Sequence, residues 1–169
     1  KVVPYYQRWL ARFPAVKILS EASLDDVLAV WSGLGYYSRA RNLHRGAKEV
    51  VARWGGQLPA SASELRTLPG IGRYTAAAIA SLAFGRDEVA IDGNLRRVLA
   101  RLIDLRVDPR TPAGDRRIRA HAQALLPGGR ASAFNQALMD FGALACTARK
   151  PACQVCPMAK FCRSYPWRA

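Results

Sequence analysis

The sequence predicts an all-α protein built as two lobes. Apolar residues recur three and four positions apart along most of the chain, strand-type alternation is almost absent, and glycine or proline breaks separate the periodic stretches. In chain order the pattern predicts helices over 5–12, 24–31, 39–54, 62–67, 74–83, 95–105, 112–126 and 132–145. Pro14 follows the first helix. Ser23 stands where the second needs an N-cap, and Gly33 and Gly35 end it. Gly55 and Gly56 stop the third. Ser61 stands at the cap of the fourth, which breaks at Pro69 and Gly70. The fifth holds the longest strongly apolar run, 76–84, and ends at Gly85. Pro109 follows the sixth, Gly128 and Gly129 follow the seventh, and the eighth leads into a cysteine-bearing tail. The lobes are predicted as 1–88 and 89–169, with 86–92 as the crossing between them.

At 169 residues the chain suffices for one sizeable core or two small lobes sharing an interface, and with half its residues hydrophobic it is not disordered. A formal charge of +14 and a pI near 10.5 attract polyanions, and most of the 26 basic residues are Arg, which suits bidentate phosphate contact. Nucleic acid is the leading partner; the alternative is an Arg-rich but merely solvated surface. The run 76–84 is far too short to span a bilayer, and the basic first residue is followed by Pro4, Tyr5 and Tyr6 rather than a signal-type apolar core. These features predict a soluble intracellular protein, monomeric and without a membrane partner. The chain opens at Lys1 rather than Met, so a removed leader or deleted segment stays open.

Cys146, Cys153, Cys156 and Cys162 are the chain's four cysteines, with six, two and five residues between them. They lie too close together in sequence to staple distant parts of a fold, and they offer four soft ligands on one loop. Paired zinc knuckles carry two C-x2-C units, whereas this loop has one, so the spacing points to a [4Fe–4S] cluster ahead of zinc, with two disulfides as a third reading. Arg149, Lys150, Lys160 and Arg163 flank the cysteines, either facing phosphate or simply solvated.

Leu68, Pro69, Gly70, Ile71 and Gly72 lie between a short helix and an apolar one. Two glycines permit a tight turn whose backbone another molecule can approach. With the N–H groups that open the next helix at Arg73 and Tyr74, the turn would cradle a phosphate without reading sequence. An isolated turn of this kind reads equally as a helix–helix connection in which glycine serves geometry alone.

The stretch 68–76 resembles the helix-hairpin-helix of a superfamily of base-excision DNA glycosylases named for its hairpin, its Gly/Pro-rich loop and an aspartate. Asp92, within 90–97 (AIDGNLRR), stands where that aspartate belongs. The four-cysteine tail has the spacing of the iron–sulfur branch, and 31–44 (WSGLGYYSRARNLH) is similar to the branch that removes adenine mispaired with 8-oxoguanine or guanine. The resemblance covers nearly the whole chain. It implies a two-lobed fold with the DNA site between the lobes and Arg73 among the hairpin's DNA contacts. The implied partner is double-stranded DNA carrying A:8-oxoguanine or A:G mispairs, met in the cytoplasm or nucleoid if the source is bacterial.

Alone, Asp92 before Gly93 reads as an N-cap; the resemblance adds a catalytic role, stabilising oxocarbenium character at the sugar or trapping C1′. Asn94 alone is a first-turn polar residue, and the resemblance makes it Asp92's companion at the reacting centre. Tyr74 alone is a core aromatic at a helix start, and the resemblance places it in the catalytic site with Asp92 and Asn94. Relatives that also cleave the backbone carry lysine there, so the resemblance implies a monofunctional enzyme. Tyr36 and Tyr37, read from sequence, are one buried and one half-exposed tyrosine; the resemblance implies that Tyr36 wedges into the duplex beside the lesion. His44 and His121 stand alone and take no metal role.

The resemblance also implies a glutamate upstream of Lys1 that protonates adenine, a Gln-rich segment, and a further domain after Ala169 that reads 8-oxoguanine. None lies within this sequence, and the spacing of Glu21, Asp25 and Asp26 does not match the glutamate motif. Rival expectations are therefore a thymine–guanine mismatch glycosylase and a DNA-binding iron–sulfur module that does not cut.

Overall fold

The computed structural model describes residues 2–167. Nine helices are described: α1 (Val3–Arg12), α2 (Val16–Glu21), α3 (Leu24–Trp31), α4 (Tyr37–Trp54), α5 (Ala62–Leu65), α6 (Arg73–Phe84), α7 (Gly93–Leu102), α8 (Pro112–Leu125) and α9 (Ala131–Leu144). Two 3₁₀ turns, Cys153–Val155 and Ala159–Phe161, follow. Among the described residues there is no strand, and no helix is long and apolar enough to cross a membrane. The all-α class stands as expected.

Contacts divide the chain into two compact units, Lys1–Gly72 and Arg73–Ala169. In the first unit, Phe13, Leu19, Val27, Ala40 and Ala47 form the buried core. Trp9 packs against Phe13 at 5.0 Å and meets Trp31 edge-on at 5.4 Å, the offset geometry that aromatic quadrupoles favour. Helix α2 escapes the sequence reading because six residues hold too little periodicity to register; its single buried residue, Leu19, supplies the core contact. Ser23 caps α3 by accepting from Asp26 N–H at 3.1 Å. Ser61 makes no such bond, since its hydroxyl pairs with that of Ser63 at 2.6 Å. Buried His44 places Nε2 3.1 Å from the Ala22 carbonyl oxygen and so is a satisfied core side chain.

The second unit buries Val89, Ile91, Leu95, Leu99, Ile118 and Ala122. Each large apolar side chain here contributes about 1.5–3 kcal/mol. The sequence drew the lobe boundary at residue 88, but α6 groups with the later helices. Its buried face is Ala76, Ala77, Ala80 and Ser81, small side chains that let α9 approach closely. The segment leading to α7 is pinned by Asn135 of α9, which is fully buried. Asn135 Oδ1 accepts from Ala90 N–H at 3.0 Å, and Nδ2 donates to Glu88 O and Ser81 Oγ, both at 2.9 Å. One amide thus satisfies three groups, two of them in fully buried residues.

Replacing Asn135 by Ala strands the Ala90 N–H and the Glu88 carbonyl and opens a cavity, for an expected loss of about 3 kcal/mol. Urea denaturation checks this; a loss below about 1 kcal/mol would show the network to be dispensable.

Candidate functional site

In the first unit, the turn at Leu68 is anchored by that buried side chain and closed by Ile71 N–H donating to the Leu68 carbonyl at 3.2 Å. Gly70 is required twice: its φ is +77°, and a Cβ there would lie 2.8 Å from Asn42 Cβ on α4. Gly72, by contrast, faces open space, and a Cβ there would meet nothing within 4 Å. Pro69 and Ile71 are half-buried, while Gly70 and Gly72 are exposed. The turn therefore offers backbone to the outside.

The same unit carries the tyrosine loop. Trp31 Nε1 donates to the Gly35 carbonyl at 2.9 Å, and Gly33 passes the Tyr5 hydroxyl so closely that a Cβ would sit 2.8 Å from it. Tyr36 follows in the left-handed region, φ 47°, ψ 52°, with its side chain 75% exposed. The Arg39 guanidinium lies over its ring at 5.0 Å. Tyr37 is 41% exposed. The expectation of one buried tyrosine is corrected: the left-handed backbone turns Tyr36 away from the Trp9–Trp31 core, so both rings face outward.

In the second unit, Arg73 and Tyr74 open α6. The N–H groups of a helix's first turn have no intrahelical acceptor. Tyr74 is 41% exposed, so it is not the core aromatic expected from its sequence setting alone. Asp92 caps α7 in an extended backbone conformation, its Oδ1 accepting Leu95 N–H at 2.7 Å. Among the described residues its Oδ2 has no hydrogen-bond partner. Asn94 is half-buried against α9, where a Cβ on Gly142 would come within 2.8 Å of it. Its Oδ1 accepts from Arg97 Nη2 at 3.0 Å.

A second cluster forms around Asp115 in the first turn of α8. Arg119 reaches it at 2.7 and 3.2 Å, Arg96 at 2.8 Å and Arg73 at 3.3 Å. The Arg119 hydrogen bond, then that of Arg96, holds the Asp115 carboxyl below its usual range despite some burial.

The cysteines are all unpaired thiols, each half-buried, and all four line one cavity of about 190 Å³ with Leu99, Phe134, Leu138 and Phe141. The two-disulfide reading has no support here. Burial pushes the Cys162 thiol up, and the other three cysteines add to that rise by mutual repulsion. Four neighbouring thiols whose negative charge needs compensation, in a largely apolar chamber, fit a cationic iron–sulfur core. Cys146, Cys153, Cys156 and Cys162 would hold it. Among the described residues no three ligand-type side chains gather tightly enough to hold a single metal ion. The flanking Arg149, Lys150, Lys160 and Arg163 are exposed.

The sequence reading missed what secures this loop. Arg97 Nε donates to the Cys146 carbonyl at 2.9 Å, and Nη2 to the Gly142 carbonyl at 2.6 Å. Buried Arg101, one turn on, donates to Thr147 O at 2.7 Å, Ala148 O at 2.8 Å and Cys146 Sγ at 3.4 Å. Its guanidinium carbon stacks 3.6 Å from the centre of the Trp167 ring. The available signal was two arginines four apart on the face of α7 that also carries Asn94 and Val98.

Residues 1–134 match the family model described as HhH-GPD superfamily base excision DNA repair protein. The chain belongs to this superfamily. Residues 146–162 match the iron–sulfur binding domain of endonuclease III, and this HhH-GPD chain takes a [4Fe–4S] cluster at its cysteine loop. The adenine DNA glycosylase of Mus musculus is 45% identical over 97% of this chain and 32% of its own length. The adenine DNA glycosylase of Buchnera aphidicola subsp. Baizongia pistaciae (strain Bp) is 40% identical over 97% of this chain and 46% of its own. The chain thus spans less than half the length of these curated relatives. A solved thermostable thymine-DNA glycosylase superposes with a TM-score of 0.87 at 30% identity, covering 98% of this chain and 76% of that one. The protein of a non-covalent endonuclease III–DNA complex gives 0.80 at 25% identity, covering 96% and 74%.

A Cys153→Ser chain loses one of four ligands, and its iron and acid-labile sulfide per chain should fall well below those of the parent. Unchanged iron content would overturn the four-cysteine assignment.

Proposed function

We propose that this chain is the part of a base-excision DNA glycosylase that grips duplex DNA and carries out hydrolysis of the N-glycosidic bond of adenine mispaired with 8-oxoguanine or guanine. The observation that carries the reading is the half-buried Asp92 carboxylate at the start of α7, one oxygen fixed by Leu95 N–H and the other without a hydrogen-bond partner among the described residues. The similarity to adenine DNA glycosylases at 40–45% identity supports adenine as the base.

In this reading the hairpin turn and the N–H groups opening α6 cradle a phosphate, with Leu68, Pro69, Gly70, Ile71, Gly72 and Arg73 along the backbone. Tyr36 enters the duplex as the target adenine leaves the stack. The C1′–N9 bond breaks, positive charge develops on the sugar, and the free oxygen of Asp92 stabilises it. Water bonds to C1′, and adenine departs with a proton. Asn94, packed on α9 and bonded to Arg97, holds the first turn beside Asp92. No acid of this chain is assigned the proton transfer to adenine. Arg149, Lys150, Lys160 and Arg163 on the cysteine loop would face phosphate, and Cys146, Cys153, Cys156 and Cys162 would hold a [4Fe–4S] cluster that ties that loop together.

A thymine–guanine mismatch glycosylase is the second reading, favoured by the 0.87 superposition on a thymine-DNA glycosylase. Its identity of 30% is well below that of the adenine enzymes. Single-turnover assays with A:8-oxoguanine and T:G duplexes separate the two by which base is released.

Asp92→Asn should keep folding and duplex binding and lower the adenine-release rate by about a hundredfold or more; equal single-turnover rates would sink the role. Tyr74 offers no amine for a Schiff base. Borohydride should therefore trap no covalent protein–DNA complex, and efficient trapping would contradict a monofunctional enzyme.

A further inference from the structure

Asp115 lies outside every motif in the sequence, yet it meets three guanidiniums from three helices. Arg73 is the first residue of α6 and directly follows the hairpin's Gly72. Arg96 sits in the first turn of α7, its N–H donating to the carbonyl of Asp92 at 3.0 Å. Arg119 is one turn along α8 from Asp115 itself. The three contacts are not equal. Arg119 holds the carboxylate with two bonds, at 2.7 and 3.2 Å, and Arg96 with one at 2.8 Å, while also donating to Pro109 O at 2.7 Å. Arg73 makes the longest contact, 3.3 Å, and has the most exposed side chain of the three, 54% against 23% and 28%.

We propose that Asp115 is a positioning residue that restrains Arg73 beside the hairpin and releases it to a backbone phosphate when duplex DNA arrives. Release is easy because Asp115 keeps its two shorter partners. A carboxylate left with Arg96 and Arg119 remains fully hydrogen-bonded, so giving up Arg73 strands no charge. Arg73, in turn, exchanges one anionic oxygen for another. The restraint has a use: an arginine directly following the hairpin would otherwise hold any duplex, and a competing carboxylate lowers that unselective affinity. The tie to Arg96 also couples the start of α6 to the turn that carries Asp92.

The inference rests on the reading that the chain grips duplex DNA, and the test separates the two. Binding of the cluster-loaded chain to an undamaged duplex is measured against salt for the parent, Asp115→Asn, Arg73→Gln and the double variant. Asp140→Asn, at an exposed residue outside every ion pair among the described residues, controls for net charge. Arg73→Gln should weaken binding and reduce the slope of log K against log salt by about 0.9, one phosphate contact. Asp115→Asn should tighten binding about two- to fivefold beyond the control, the range of a partly exposed ion pair. In the Arg73→Gln background it should have no effect beyond the control, which a general loss of stability or change of charge would not reproduce. Equal tightening with and without Arg73, or none in either, overturns the inference. If Asp115→Asn does not fold, an unchanged salt slope for Arg73→Gln overturns it alone. A parent chain that fails to bind duplex at all refutes instead the proposed function.

Discussion

The second unit depends on how α7 disposes of two guanidiniums, one half-buried and one buried. Arg97 and Arg101 point at the loop that follows α9, where the helix has run out of intrahelical donors for its last carbonyls. Between them they satisfy Gly142, Cys146, Thr147 and Ala148. A guanidinium carries five donors in a rigid plane, so one side chain can hold several carbonyls at fixed angles, which an ammonium on a flexible stem cannot do. The loop's carbonyls are thereby held by the chain's own side chains. The fixed carbonyls and the bond to Cys146 Sγ orient the first of the four thiols, while Trp167 covers the guanidinium's other face.

One helix therefore carries two kinds of chemistry at its two ends. Asp92 caps the N-terminus, where the macrodipole favours a carboxylate, and Arg101 lies near the C-terminus, where it favours a cation. Asn94 and Arg97 lie between them in hydrogen bond to each other, against the Gly142 backbone. A side chain at Gly142 would push Asn94 away from α9. Packing of the cysteine loop and placement of Asp92 are thus parts of a single close contact between α7 and α9.

Much of this was legible in the sequence because it rests on short-range rules. The N-cap role of Asp92 follows from an acceptor side chain before Gly93, and the hairpin turn from Pro69 and from Gly70, which has both a left-handed backbone and a close neighbour. Four thiols within one loop announce a metal site by spacing alone. What escaped depends on tertiary partners. Nothing local distinguishes Arg97 and Arg101 from the surface arginines of so basic a chain; their meaning comes from carbonyls more than forty residues away. Asn135 is likewise an ordinary helix residue until α6 and 88–90 close over it. Tyr74 and one of the pair Tyr36 and Tyr37 went the other way, reading as core aromatics but lying exposed, because apolarity says that a ring prefers burial and not whether the fold leaves room for it. The lobe boundary moved for a related reason: the alanine face of α6 is blind to direction in sequence, and only its packing on α9 shows which helices it belongs with.

Tyr36 shows that stability was not the only constraint on the first unit. A left-handed backbone at a non-glycine residue costs about 1–2 kcal/mol, and an exposed aromatic forgoes most of the gain from burial. The Arg39 contact recovers about 0.5–1 kcal/mol at most at an exposed site. Glycine at 36 would relieve the strain, and rotation of the ring inward would recover apolar burial, yet the loop is built to prevent the second. Trp31 holds the Gly35 carbonyl, and Gly33 lets the chain pass Tyr5 at a distance no side chain would tolerate. Two separate features thus maintain one unfavourable placement, and an aromatic kept outward against its own free energy has a cause outside the stability of the first unit.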